Sequence, residues 1–169
     1  MGRIGRGEAA RVRRARDGSV ADLEALFREH WPRAYRAAFL VVHDAAAAED
    51  IAQEAFLAAV RALDRFDWRR PFAPWLHRIV VNRAIDWSRA RALRAETQEI
   101  ETAAVPEPLH DDTLIRELHT LQPEHRAVIV MRYLLEYTPG EIAEVLEIPR
   151  GTVNSRLRRG LDRLKEQLE

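Results

Sequence analysis

Three features of this chain predict an all-α fold of two small helical domains joined by an acidic linker. Apolar residues recur at spacings of three and four through most of its length, and no stretch alternates apolar with polar as a strand would. The helical regions are parted by a polar stretch with two prolines, ETQEIETAAVPEPLHDD. The expected organisation is an Arg-rich N-terminal tail at 1–20, a helical domain at 21–94, the acidic linker at 95–112 and a second helical domain at 113–169. Fully extended, the linker reaches at most roughly 60 Å, so the two domains need not touch.

Within the first domain, DLEALFREHWPRAYRAAFLVV supplies one or two helices. The next helix starts at Asp44, a good N-cap, and buries a stripe of Ala52, Phe56, Ala59 and Leu63. Asp50, Gln53, Glu54 and Leu57 share a different face of it. A third helix runs through PWLHRIVVNRAIDWSRARALR with Leu76, Ile79 and Val80 inward, and Arg78, Asn82, Asp86 and Arg89 along one side. Before it lies the loop FDWRRPFAP, where aromatic rings mix with arginines. Rings stack on unpaired bases and guanidinium groups neutralise phosphate, so such a loop suits single-stranded nucleic acid. Trp75 and Trp87, set in an apolar pattern, read as core; Trp68 and Phe72 are open to either reading.

The second domain ends in EIAEVLEIPRGTVNSRLRRGLDRLKEQLE. Thr138 and Glu141 can form a capping box with Pro139 at the first helical position, and Ile142, Ala143 and Leu146 give the short helix an apolar face. Pro149 breaks the pattern. A second helix resumes with Val153, Leu157, Leu161, Leu164 and Leu168 inward. Arg150, Thr152, Asn154, Ser155, Arg158 and Arg159 are left outward. Two helices and a tight turn, with Arg and Asn on the outer face of the second, describe a helix-turn-helix. Arg matches guanine and Asn matches adenine in the major groove. The plainer alternative is a solvated basic face on a helical hairpin.

Charge is segregated although the net charge is zero. Residues 1–20 carry six arginines against Glu8 and Asp17, and residues 95–112 carry six acidic side chains and no basic one. Cysteine is absent, which excludes disulfides, thiolate metal sites and a cysteine nucleophile. No phosphate loop, G-x-S-x-G elbow or H-E-x-x-H occurs, and the six histidines lack metal-ligand spacing. Neither catalysis nor a metal or cofactor is expected. With no apolar run of membrane length and no signal core, the expected location is the cytoplasm.

These residues and their order resemble the extracytoplasmic-function group of bacterial RNA polymerase sigma factors. AEDIAQEAFLAAVRALDRF resembles sigma regions 2.1–2.2, PFAPWLHRIVVNRAIDWSRARALR regions 2.3–2.4, and LQPEHRAVIVMRYLLEYTPGEIAEVLEIPRGTVNSRLRRGLDRL region 4. The resemblance implies a factor that binds core RNA polymerase and directs it to promoter DNA, with an anti-sigma factor as a further partner. By position it assigns Asp50, Gln53, Glu54 and Leu57 to core polymerase docking. Trp68 and Phe72 of the 66–73 loop, with Asn82 and Asp86, fall to the melted −10 strand, and Arg83, Arg89 and Arg91 to nearby phosphates. Arg150, Thr152, Asn154, Ser155, Arg158 and Arg159 would meet the −35 duplex, while the linker threads the polymerase interior. The chain departs from the family pattern at Glu147, where the turn usually carries glycine, and at Asn154, often basic in relatives. The N-terminal arginines match nothing in the family, and a disordered tail touching DNA is the expectation. The alternative function is an autonomous helix-turn-helix regulator, which would dimerise on a palindrome.

Overall fold

The computed structural model describes residues 6–97 and 113–168, so most of the acidic linker lies outside the described residues. Among them the chain forms eight helices and one short 3-10 turn, with no strand.

Helix α1 (Arg6–Arg16) stands where a disordered tail was expected. Its few apolar side chains explain the difference: Val12 and Ala15, one turn apart, are 2% and 8% exposed against α2 (Val20–Val42). Two arginines find carboxylates on the same helix. Arg11 donates to Glu29 at 2.5 Å, and Arg14 donates to both oxygens of Asp22 at 2.9 and 2.7 Å. Helix α2 begins at the Ser19 cap and continues through Pro32 as one helix.

Helix α3 (Ala45–Arg61) starts at Asp44, whose carboxylate accepts the Ala47 N–H at 2.9 Å. The helices α2 and α3 pack through alanines, among them Ala34, Ala37 and Ala38 on one side and Ala48, Ala52, Ala55 and Ala59 on the other. Small side chains let the two backbones approach closely and leave little rotamer entropy to lose. Helix α4 (Phe72–Thr97) closes this first bundle with Leu76, Val80, Val81, Ala84 and Ile85 buried. It runs into the residues assigned to the linker, which are helical as far as Thr97.

The second bundle holds α5 (Thr113–Thr120), α6 (Pro123–Tyr133), α7 (Pro139–Leu146) and α8 (Arg150–Leu168). Every residue of α6 from Arg126 to Met131 is buried. A helix covered all round needs neighbours on both sides. One side of α6 meets α7 and α8; the other meets α2 and α4 of the first bundle. The two domains, which a long linker would leave free to separate, are therefore closed against each other.

Candidate nucleic-acid and partner interfaces

On α3, Asp50, Gln53, Glu54 and Leu57 are all exposed, Leu57 at 53%. The opposite face carries Ala48, Ile51, Ala52 and Ala55 into the core, so the four are presented on a fixed scaffold. Glu54 accepts a hydrogen bond from Arg83 of α4 at 2.7 Å. A compact polar face around one uncovered leucine is complementary to a basic helical surface with an apolar contact point.

The loop before α4 is organised by Asp67, whose carboxylate accepts the Arg69 backbone N–H at 3.1 Å and its Nε at 2.9 Å. Those bonds hold the Asp67 carboxyl below its usual range, the Arg69 side chain being the largest cause. Trp68 is 39% exposed, and the Arg13 guanidinium of α1 lies over its ring, 5.1 Å from the centroid. Phe72, expected to share the base-stacking role, is 3% exposed and corrects that reading. Its ring sits 5.1 Å from His30 and 5.8 Å from both Phe66 and Trp75. Packed on three sides, it supports the loop from beneath.

Along α4, Asn82 and Asp86 are exposed one turn apart. The arginines of this surface have protein partners: Arg83 holds Glu54, and Arg91 holds Asp44 at 3.1 Å while lying over the Trp87 ring at 5.1 Å. Arg89 is bonded to Glu124 of the second domain.

The capping box of α7 is complete, with Thr138 and Glu141 bonded reciprocally. Helix α7 ends at Glu147, which adopts φ 54° and ψ 43° and whose N–H bonds the Ala143 carbonyl. On α8 the buried stripe is Val153, Leu157, Gly160 and Leu164. Leu161 and Leu168, expected inward, are 39% and 52% exposed. Gly160 takes the inward place, where a Cβ would fall 2.7 Å from Ile129 Cδ1 and require that side chain to shift. The outer side of α8 presents Arg150, Asn154, Arg158 and Arg159 exposed, with Thr152 and Ser155 half-buried. At 3.6 residues per turn Thr152, Asn154, Ser155, Arg158 and Arg159 lie about 90° or more from the buried stripe, whereas Arg150, in the first turn, lies beside it.

The seam between the domains was not expected from sequence. Arg126, 3% exposed, donates to the Val41 carbonyl at the end of α2, to the Leu121 carbonyl at 2.9 Å and to His119 Nδ1 at 2.7 Å. Burial pulls Arg126 down to about 10; burial, and then the Arg126 charge, pull His119 down to about 4. His77 Nδ1 is bonded to the Tyr137 hydroxyl at 2.7 Å, and burial brings His77 to about 4. Arg78 donates to Glu147 at 2.8 Å. The available signal was Arg126 itself, an arginine followed directly by the apolar run AVIVM in a helix.

Ligand atoms of Glu8, Glu29 and His30 lie within 4.8 Å of one another. Arg11 already occupies Glu29, and Glu8 Oε1 lies 3.2 Å from His30 Nε2, so these groups answer one another and tie α1 to α2.

Residues 26–94 match the family described as Sigma-70 region 2, and residues 118–166 match Sigma-70, region 4. The ECF RNA polymerase sigma factor SigW of Bacillus subtilis is 31% identical over 176 residues, covering 93% of this chain and 92% of the relative. The RNA polymerase sigma factor CarQ of Myxococcus xanthus is 32% identical over 165 residues, covering 93% and 95%. Among solved structures, CnrH in complex with the cytosolic domain of CnrY is similar with a TM-score of 0.74 at 28% identity, over 95% of this chain and 96% of that one.

Proposed function

The chain belongs to the sigma-70 family, in its extracytoplasmic-function group, and from that premise we propose how its surfaces divide promoter recognition. It is a sigma factor that directs transcription initiation, and its family acts as a non-catalytic initiation factor. The autonomous regulator is not favoured, because the likeness spans both domains and not the helix-turn-helix alone.

In this reading the α3 face of Asp50, Gln53, Glu54 and Leu57 docks core polymerase. Trp68 meets the melted −10 strand with Asn82 and Asp86 beside it, and Arg83, Arg89 and Arg91 turn to phosphate when the strand arrives. A base held out of its stack compensates an unstacking cost of a few kcal/mol, which allows opening without nucleotide hydrolysis. Helix α8 reads the −35 duplex through Arg150, Asn154, Arg158 and Arg159, with Thr152 and Ser155 at the groove edge. One observation carries the assignment of α8: Asn154, Arg158 and Arg159 are exposed on the side turned away from the stripe that packs on α6 and α7. Among the described residues no helix is long and apolar enough to cross a membrane, and the proposed place of action is the cytoplasm, with the polymerase. A protein inhibitor of the anti-sigma kind is the further partner we infer; CnrH was solved with a bound protein domain.

Asn154→Ala tests the groove assignment. Holoenzyme carrying it should lose about 1–3 kcal/mol of discrimination at one −35 base pair, as a lost bidentate contact does. Equal weakening on every sequence would show that Asn154 only positions the backbone.

A further inference from the structure

We propose that α1 is part of the melted-strand surface: Arg13 fixes Trp68 by one ring face and offers its remaining N–H donors to a phosphate of the strand stacked there. This rests on the reading that the 66–71 loop meets opened DNA. The chemical class of ligand is single-stranded nucleic acid, taken at a backbone phosphate.

The arginines of α1 sort by what they touch. Arg11 and Arg14 are spent on Glu29 and Asp22 of α2, and Arg16 lies against Asp17 at 3.2 Å. With Val12 and Ala15 buried, the Glu29 and Asp22 contacts account for why the helix lies on α2. Arg13 belongs to none of them. It is exposed, faces the loop, and places its guanidinium over Trp68, which remains 39% exposed.

Around that ring the chain assembles what unpaired nucleic acid requires. Arg69 and Arg70 follow it in the loop and are exposed, with side chains 74% and 79% accessible, and Asp67 is the carboxylate that orders them. A cation–π contact is electrostatic, so the Arg13 guanidinium over the ring keeps N–H donors for a further acceptor. A base can then stack on the indole while its phosphate meets Arg13, the combination of ring and cation that grips single strands. The contact between Arg13 and Trp68 also limits the motion of both side chains before DNA arrives, which lowers the ordering cost of binding.

The experiment measures binding of holoenzyme to a promoter fork with a single-stranded −10 segment, across a series of salt concentrations. One single-strand phosphate contact contributes about 0.7 to the slope of log K against log salt. Arg13→Ala should lower that slope by about 0.7 and weaken binding about fivefold at 0.1 M salt, with the melting temperature of the free chain unchanged. Arg13→Lys, which keeps the charge, should keep the slope. If Arg13→Ala binds the fork as wild type does while Trp68→Ala weakens it, the α1 proposal is overturned and the loop reading stands. If neither substitution matters, the loop reading itself fails and takes the proposal with it. Equal weakening by Arg13→Ala on a fragment holding only the −35 duplex would also overturn it.

Discussion

Glu147 occupies a left-handed backbone position that costs an ordinary side chain roughly 1–2 kcal/mol. The position is forced by the end of α7, where the N–H groups of Glu147 and Ile148 both return to the Ala143 carbonyl. Glycine would sit there without strain. The carboxylate instead reaches across to Arg78 of the other domain, but the two side chains are 65% and 40% exposed. An ion pair so accessible is worth about 0–1 kcal/mol, less than the strain it accompanies. Glu147→Gly should therefore raise stability by about 1 kcal/mol, seen as a melting temperature higher by about 2–4 °C. A lower melting temperature would mean the Arg78 contact outweighs the backbone. The strain was legible in sequence because the turn motif asks for glycine; the partner was not, since Arg78 is 69 residues away. Phe72 fails in the same manner: a loop phenylalanine is equally compatible with a base and with His30, Phe66 and Trp75 until the fold brings those rings together.

Helices whose burial follows a long local stripe were legible, and helices held by a few distant contacts were not. Helix α3 has its Asp44 cap and its alanine face within its own sequence, so its start and its exposed polar side could be read directly. Leu63, expected on its buried stripe, lies instead in the 3-10 turn after the helix ends at Arg61. Helix α1 hides behind its arginines, because only Val12 and Ala15 must bury for it to dock. On α8 the leucine pattern pointed to Leu161, whereas Gly160 fills the inward place beside Ile129, a neighbour on another helix that the local pattern does not reveal. The α3 face makes a sharp prediction. Reversing Asp50 and Glu54 to lysine should abolish association with core polymerase in a co-elution assay while leaving helicity and melting near wild type. The opposite face and the cap stay intact, and the Glu54–Arg83 pair that is lost is exposed and worth about 0–1 kcal/mol, so a fold defect is not expected. Core affinity retained by the double variant would remove the docking assignment.

At the scale of the whole molecule, the closed seam engages Arg89 through Glu124 and Arg78 through Glu147, so DNA that claims those arginines must exchange the pairs. The seam also keeps two imidazoles neutral. His77 and His119 are held near 4, below the ordinary histidine range, so the closed fold binds fewer protons than an open chain between about pH 6.5 and 4. Their contribution is complete above about pH 6.5 and falls as pH drops toward 4. For the well-buried His77 the penalty on full protonation is on the order of 3 kcal/mol. Glu124 titrates below its usual range, burial raising it and its backbone and Arg89 bonds lowering it further, so the Arg89 pair persists over most of that window. Acidification from pH 7.5 to 5 should enlarge the radius of gyration in small-angle scattering, and His77→Gln should flatten the response. An unchanged radius in the wild-type chain would show that the seam does not depend on neutral imidazoles. Beyond the arginine set against an apolar run at Arg126, none of this was legible in sequence, because His77–Tyr137 and Arg126–Val41 join residues 60 and 85 positions apart.

The two promoter readers act only when this chain sits on polymerase. Run-off transcription with purified core enzyme, with and without the full chain, on a promoter mapped from transcripts induced by its overexpression, tests it most directly. The account predicts a discrete transcript that requires both proteins and disappears with the Asp50 and Glu54 reversals. Tight polymerase-independent binding to a palindrome, with no transcript in the presence of core enzyme, would contradict it.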